Sequence, residues 1–105
     1  MTDKKLVLTT CGSIEEGRTI GRALVEKKLA ACVNIVPQIE SVYRWQGKVE
    51  SASECLLLIK TTEGAFRRLR DALRESHSYE LPECIEIAIE DGSADYLDWI
   101  GDSVH

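Results

Sequence analysis

The stretch of residues 34–50, NIVPQIESVYRWQGKVE, restricts the possible folds of this chain more than any other segment. Its pattern predicts extended chain over 31–46, a tight turn at Gly47, where glycine supplies a positive φ, and a returning strand over 49–61. A strand of 16 residues spans roughly 50 Å, while a domain of 105 residues is about 35 Å across. We therefore expect the hairpin to overhang its own domain.

An overhanging hairpin needs a partner, because an isolated two-stranded ribbon is marginal in water and a long free edge promotes aggregation. We expect equivalent hairpins to pair in a closed ring of identical chains. The predicted interface residues lie before the turn: Ile39, Val42, Tyr43 and Trp45. Pro37 predicts a bulge, after which the strand leaves its own sheet for a neighbour's. The alternative is two short strands joined by a bend at Pro37.

The remaining elements follow from hydrophobic period and capping signals. In chain order they are a strand over 5–11, a helix from the Ser13–Glu16 capping box to about Lys28, a helix from Ala65 up to the loop that begins at Ser76, a strand over 84–90 and a short helix capped by Ser93. The order β-α-β-β-α-β predicts an α+β ferredoxin-like sandwich with antiparallel strands in the order 4-1-3-2. The length of 105 residues fits one domain, 1–105.

The apolar patterns of the strands predict their places in the sheet. LVL in the first strand and CLLLI in the third are apolar on both faces, which indicates central strands. Ile85, Ile87 and Ile89 alternate, which predicts an edge strand with one buried side. Two helices can cover only one face of the sheet. We therefore expect another subunit to cover the second face.

Charge and cysteine usage exclude several classes of partner. The net charge of −5 opposes binding to nucleic acid and to anionic membranes. No apolar run approaches the length of about 20 residues that crosses a bilayer, and MTDKKLVLTT is unlike a signal peptide. Four cysteines without a C-x-x-C pair indicate reduced thiols, so we expect a cytoplasmic protein. Cys11 differs, because the helix that follows it would favour an exposed thiolate.

The predicted topology brings three segments to one end of the sheet: residues 9–13, the hairpin tip and the loop 76–83. Cys11, His77 and Glu83 could then approach each other, and a thiolate, an imidazole and a carboxylate are suitable ligands for copper or zinc. The alternative is that His77, Tyr79 and Glu83 only fasten the loop by hydrogen bonds. No nucleophile, base and orienting group are arranged as in a hydrolase, so we expect no enzyme.

Five segments carry a resemblance that covers almost the whole chain. They are, in order, LVEKKLAACVNIVP, SVYRWQGKVE, LLLIKT, HSYELPECIEI and DYLDWI. In order and spacing they resemble the CutA family of divalent-cation-tolerance proteins. The resemblance implies a ferredoxin-like subunit, a homotrimer with interlocked hairpins, and an association with the response to copper and other divalent metal ions.

The resemblance can be carried over residue by residue only in part. The family's loop usually reads H-P-Y-x-x-P-E, and the positions that match are His77, Tyr79, Pro82 and Glu83. In some members copper ligation is attributed to a cysteine and a pair of histidines, whose positions here hold Thr9, Ser76 and His77. Only His77 keeps the ligand type, which implies at most weak copper binding.

The family's trimer also resembles that of the nitrogen-regulatory PII proteins, which bind small molecules in clefts between subunits. The alternative function is therefore a small-molecule or anion sensor that signals to a protein partner. The predicted cleft residues are Thr9, Thr10, Cys11, Tyr79 and the partner subunit's Trp45. The helix that begins after Ser13 would offer free N–H groups and the positive end of its dipole to an anion.

Overall fold

The structure is a computed structural model that describes residues 2–105. Within them the chain forms a four-stranded sheet, three α-helices and a 3-10 turn at Glu63–Ala65. The elements are β1 (Lys4–Cys11), α1 (Ile14–Glu26), β2 (Cys32–Trp45), β3 (Lys48–Thr62), α2 (Phe66–Ser76), β4 (Ile85–Ala88) and α3 (Ala94–Ser103). The strand order is β2-β3-β1-β4, and every pair is antiparallel. The predicted ferredoxin-like sandwich is confirmed.

The β2–β3 hairpin projects from the body of the subunit. Trp45 pairs with Lys48 across Gln46 and Gly47, whose φ angles are 49° and 81°. Positive φ at both central positions is what a two-residue type I′ hairpin turn requires. The subunit measures 44 × 25 × 22 Å, and Val42 in the projecting part is 68% exposed. The expected overhang is therefore present in the single chain.

A β-bulge interrupts β2 at Pro37. Val36 pairs with Leu56 and Ile39 pairs with Glu54, so Pro37 and Gln38 together oppose one residue of β3. Gln38 has a φ of 58°, and proline at a bulge removes no donor from the ladder. Because β2 continues through the bulge, the predicted bulge is confirmed and the alternative of two separate strands is wrong.

The hydrophobic core lies between the sheet and helices α1 and α2. Its largest fully buried side chains include Val7, Ile20, Leu57, Ile59, Leu69 and Leu73. Helix α1 lies close to the sheet because glycines face it: a Cβ added at Gly17 would lie 3.0 Å from the Cys55 sulfur. At Gly21 it would lie 3.2 Å from a methyl carbon of Val33. This close approach fixes the start of α1 against the bulged part of the hairpin.

The opposite face of the sheet has no covering layer in the described chain. Ile85 pairs with Leu8 and Ile87 pairs with Leu6, and the two isoleucines are 51% and 40% exposed. The prediction that β4 has a buried side is therefore wrong for a single subunit, because α1 and α2 both lie on the other face of the sheet. The expectation of an uncovered apolar face is confirmed.

Helix α3 packs at the end of the sheet where β1 begins and β3 ends. Ile100 and Val104 pack with Ala31 and Ala65 in a small cluster that Leu97 joins from the side. Ser93 precedes the helix, but its side chain makes no capping hydrogen bond, so that part of the prediction is wrong. Among residues 2–105, no helix has the length and apolar character needed to cross a membrane.

Candidate functional site

The turn between β1 and α1 is joined to the loop after α2 by one carboxylate. Ser13 Oγ accepts a hydrogen bond from Glu16 N at 3.1 Å, as the capping box predicts. Glu16 in turn accepts from Gly12 N at 3.2 Å and from Ser78 N at 2.9 Å. Burial by itself would raise the pKa of Glu16, but these hydrogen bonds outweigh burial and lower it. Glu16 therefore holds the two loops together as an anion.

The imidazole of His77 is fixed by hydrogen bonds at both nitrogens. Nε2 lies 2.6 Å from the carbonyl oxygen of Thr10, and Nδ1 lies 3.0 Å from the backbone N–H of Tyr79. A backbone N–H can only donate and a carbonyl can only accept, so Nδ1 is unprotonated and Nε2 carries the proton. The ring is thus neutral, and its one lone pair already accepts the bond from Tyr79.

Tyr79 connects the same loop to the base of the hairpin. Its hydroxyl donates to Glu54 at 2.7 Å, and its ring lies 4.7 Å from the His77 ring. The hydroxyl also covers Gly12, where an added Cβ would lie 3.4 Å from it. Burial, together with the Glu54 carboxylate, raises the pKa of Tyr79 well above its ordinary value. The phenol therefore stays protonated and donates.

Cys11 does not have the exposed thiolate that the sequence suggested. Its side chain is fully buried opposite Cys55, on the face of β1 beneath the helices. Burial raises its pKa to about 12, and the charge of Glu16 acts in the same direction. Burial also raises the pKa of Cys55. The start of α1 is close in sequence, but the alternation of the strand turns the thiol into the core.

The structure does not assemble the three predicted metal ligands. His77 lies at the end of β1 as expected, but Cys11 is in the core and Glu83 lies beyond the hydrogen-bonded part of the loop. In the described part of the chain, no three His, Cys, Asp or Glu side chains are placed to hold a metal ion together. Two of the three predicted segments, residues 9–13 and the loop 76–83, do meet, but the hairpin tip lies farther along the ribbon. Where the segments meet, Cys11 points into the core and is separated from His77.

A cleft of about 360 Å³ lies between the start of α1 and the bulge of β2. It is lined by Gly12, Ser13, Ile14, Pro37, Gln38, Ser53, Glu54 and Cys55. Sequence reasoning did not identify Glu54 or Gln38, because only the bulge and the strand register bring them to α1. Pro37 was the one signal in the sequence for the hairpin side of this cleft, and the capping box at Ser13 pointed to its helix side.

The predicted cleft residues are only partly at this position. Tyr79 borders the cleft through its contacts with Gly12 and Glu54, and the carbonyl of Thr10 holds His77. Thr9 does not face the cleft: it is fully buried, and its hydroxyl has no partner within residues 2–105. Trp45 lies roughly 25 Å along β2 from the bulge, at about 3.3 Å per residue. It does not line the cleft of its own subunit, and a contribution from the partner subunit's Trp45 stays a prediction.

The comparisons with known proteins agree with this architecture. Residues 5–103 match the family model of the CutA1 divalent ion tolerance protein. The chain belongs to this family. It is 50% identical over 97 residues to the divalent-cation tolerance protein CutA of Thermus thermophilus, which covers 92% of this chain and 94% of that relative. The resemblance found in the sequence is confirmed.

Two further comparisons show how far the CutA similarity extends. Human protein CutA is 46% identical over 91 residues, which is 87% of this chain but only 51% of the human protein. The chain thus spans about half the length of that relative. A solved structure, the divalent cation tolerance protein of Thermus thermophilus, has a TM-score of 0.95 at 47% identity. That match covers 97% of this chain and 99% of the solved one.

Proposed function

We propose that this CutA chain acts as a cytoplasmic homotrimer in the tolerance of divalent cations, by binding rather than by catalysis. We propose further that it binds copper weakly. Family membership supports the general role, since the relatives are named for divalent-cation tolerance. The uncovered sheet face and the overhanging hairpin support the trimer. The proposal of weak binding rests on His77, whose two ring nitrogens are both already hydrogen-bonded.

Copper prefers imidazole and thiolate ligands, and each must offer a free lone pair. The lone pair of His77 Nδ1 accepts from Tyr79 N, so a metal ion has to break the bond that orients the loop. Cys11 has a pKa of about 12 and no exposed surface, so it must lose a proton and move before it can bind. Both costs reduce the affinity for copper below that of a preformed site.

We expect calorimetry on the tag-free protein to show copper(II) binding no tighter than micromolar. His77→Ala should remove most of the binding, because His77 is the one imidazole at this end of the sheet. His105→Ala is the matched control, since His105 is exposed beside α3 and the variant should bind like the wild type. Nanomolar affinity that survives His77→Ala would contradict the proposal.

The second candidate function is a sensor of small anions, and the cleft at the start of α1 favours it. The first turn of the helix presents backbone N–H groups there, and a helix N-terminus attracts anions. Glu54 lines the same cleft with its carboxylate, which repels an anion. The two effects oppose each other, so the wild type should bind a simple anion only weakly.

Glu54→Gln separates the two effects. Glutamine keeps an oxygen that can accept from Tyr79 but removes the charge. We therefore expect phosphate to bind about fivefold more tightly, since one partly exposed charge near the surface is worth about 1 kcal/mol. Titration with phosphate, followed by the NMR signals of Gly12 and Ile14, measures this. Glu50→Gln near the hairpin tip is the control and should have no effect. If both variants leave the Gly12 and Ile14 signals unmoved, the anion function is wrong.

A further inference from the structure

Helix α3 carries an aromatic surface that the subunit's own core does not use. Tyr96 and Trp99 are one helical turn apart and are 43% and 44% exposed. Their ring centroids lie 5.4 Å apart with the planes inclined by 36°. The helix is anchored by its other side, where Ile100 is fully buried. Large aromatic side chains that remain in water commonly mark an interaction surface.

The net charge of the chain is concentrated around these two rings. Residues 89–105 contain no Lys or Arg and five acidic residues: Glu90, Asp91, Asp95, Asp98 and Asp102. The chain has 13 basic and 18 acidic residues, so 13 of each remain in residues 1–88. The first 88 residues are therefore neutral, and the whole net charge of −5 lies on the C-terminal segment.

These carboxylates have no counter-charge within the part of the chain that the structure describes. None of the five makes an ion pair with Lys or Arg. The ammonium group of Lys4 lies close to Gly101, but it pairs with Asp3. Asp98 lies in the middle of α3 and Asp102 in its last turn, four residues apart, so that their like charges repel. The negative end of the helix dipole also disfavours Asp102. The charges thus destabilise the isolated helix.

We propose that an acidic aromatic face, formed by Tyr96, Trp99, Asp95, Asp98 and Asp102, binds a basic segment of another protein. The helical spacing places Asp95 and Asp102 on either side of Trp99 along the helix. An arginine can lay its guanidinium over the indole and pair with these carboxylates at the same time. The sign of the charge excludes nucleic acid and anionic lipid as the partner. This inference does not depend on copper binding, and it requires that the proposed trimer leaves Tyr96 and Trp99 exposed.

Fluorescence anisotropy tests the proposal with a fluorescein-labelled peptide of alternating Arg and Gly, against the same peptide with Glu in place of Arg. We expect only the Arg peptide to bind, and added salt to weaken the binding. The triple variant Asp95→Asn, Asp98→Asn and Asp102→Asn should bind the Arg peptide about tenfold more weakly. Each exposed ion pair contributes little, but the three contributions add up. Trp99→Gln should weaken the binding about threefold through the lost cation–π contact.

A matched triple variant controls for overall charge. Glu26→Gln, Glu75→Gln and Glu80→Gln remove three exposed charges from other surfaces, and the change in affinity should stay below about twofold. Equal weakening by the two triple variants would overturn the proposal, as would failure of the Arg peptide to bind. Acrylamide quenching of the wild type compared with Trp99→Phe reports whether Trp99 is accessible. A shielded Trp99 would mean that another copy covers this face, and it would also overturn the proposal.

Discussion

Light scattering of this protein is expected to show a single species with three times the chain mass of 11.7 kDa, and no monomer at micromolar concentration. β2 and β4 are the two edges of the sheet, and β2 extends past the bulge as an exposed ribbon. A ribbon at one edge and a free edge at the other can pair head to tail, and a closed ring leaves no edge unpaired. The uncovered isoleucines of β4 would be buried in the same step.

Replacing Ile39 and Val42 together by aspartate should yield aggregate or unfolded chain rather than soluble monomer. Obligate interfaces of this kind often bury more than about 2,000 Å² in total, so folding and assembly should be inseparable. Circular dichroism and size-exclusion chromatography with light scattering measure the outcome. Val25→Asp, which places one aspartate on an exposed part of α1 away from the hairpin, is the control and should remain trimeric.

A stable, folded double variant of 11.7 kDa would contradict the expected trimer. It would show that the hairpin and the open face of the sheet are stable in water without a partner. A monomeric wild type would have the same consequence. Either result would leave family membership intact, because membership depends on sequence and fold similarity.

Alkaline pH should destabilise the protein strongly through Cys11. Its pKa rises from 9.0 to about 12 on folding, so the native state holds the proton more tightly than the unfolded chain. The unfolding free energy keeps the contribution of Cys11 in full below pH 9. It loses that contribution as pH rises from 9 towards 12, by about 4 kcal/mol in total. Tyr79, whose pKa is also raised, acts in the same direction at higher pH.

Urea unfolding at about pH 8 and about pH 10.5, at one protein concentration, measures the effect. The wild type should lose about 2 kcal/mol of unfolding free energy from Cys11 between these values. The loss of unfolding free energy in Cys11→Ala should be smaller by about 2 kcal/mol, although this variant is less stable than the wild type at both pH values. Cys32→Ala, which removes a half-exposed thiol, should keep the pH dependence of the wild type. Identical pH dependence in the two variants would show that Cys11 is not the cause.

Local sequence patterns were sufficient to predict the elements and their order. Alternation and apolar runs placed β1 and β3 at the centre of the sheet, Pro37 marked the bulge, and Gly47 marked the turn. The bounds differ by a few residues, most at β4, which is four residues long. These features depend on backbone geometry and on the period of burial, which neighbouring residues encode.

The sequence predicted where the candidate site lies, but not which side chains come together there. The meeting of the β1 end with the loop after α2 follows from the topology, and the contact between His77 and Thr10 shows it. The ligand set of Cys11, His77 and Glu83 did not follow, because proximity of segments does not decide where each side chain points. Thr9 and Cys11 show this most clearly, since both face the core from the same side of β1.

The family, the ferredoxin-like topology and the long hairpin could all be predicted before folding, because each depends on patterns that can be read along a continuous stretch of chain. The tautomer of His77, the anionic role of Glu16 and the bond between Tyr79 and Glu54 follow only from contacts made in the folded chain. Those contacts join residues 67, 62 and 25 positions apart. Protonation and metal affinity depend on the few ångströms around each polar atom, and the folded chain alone brings those neighbours together.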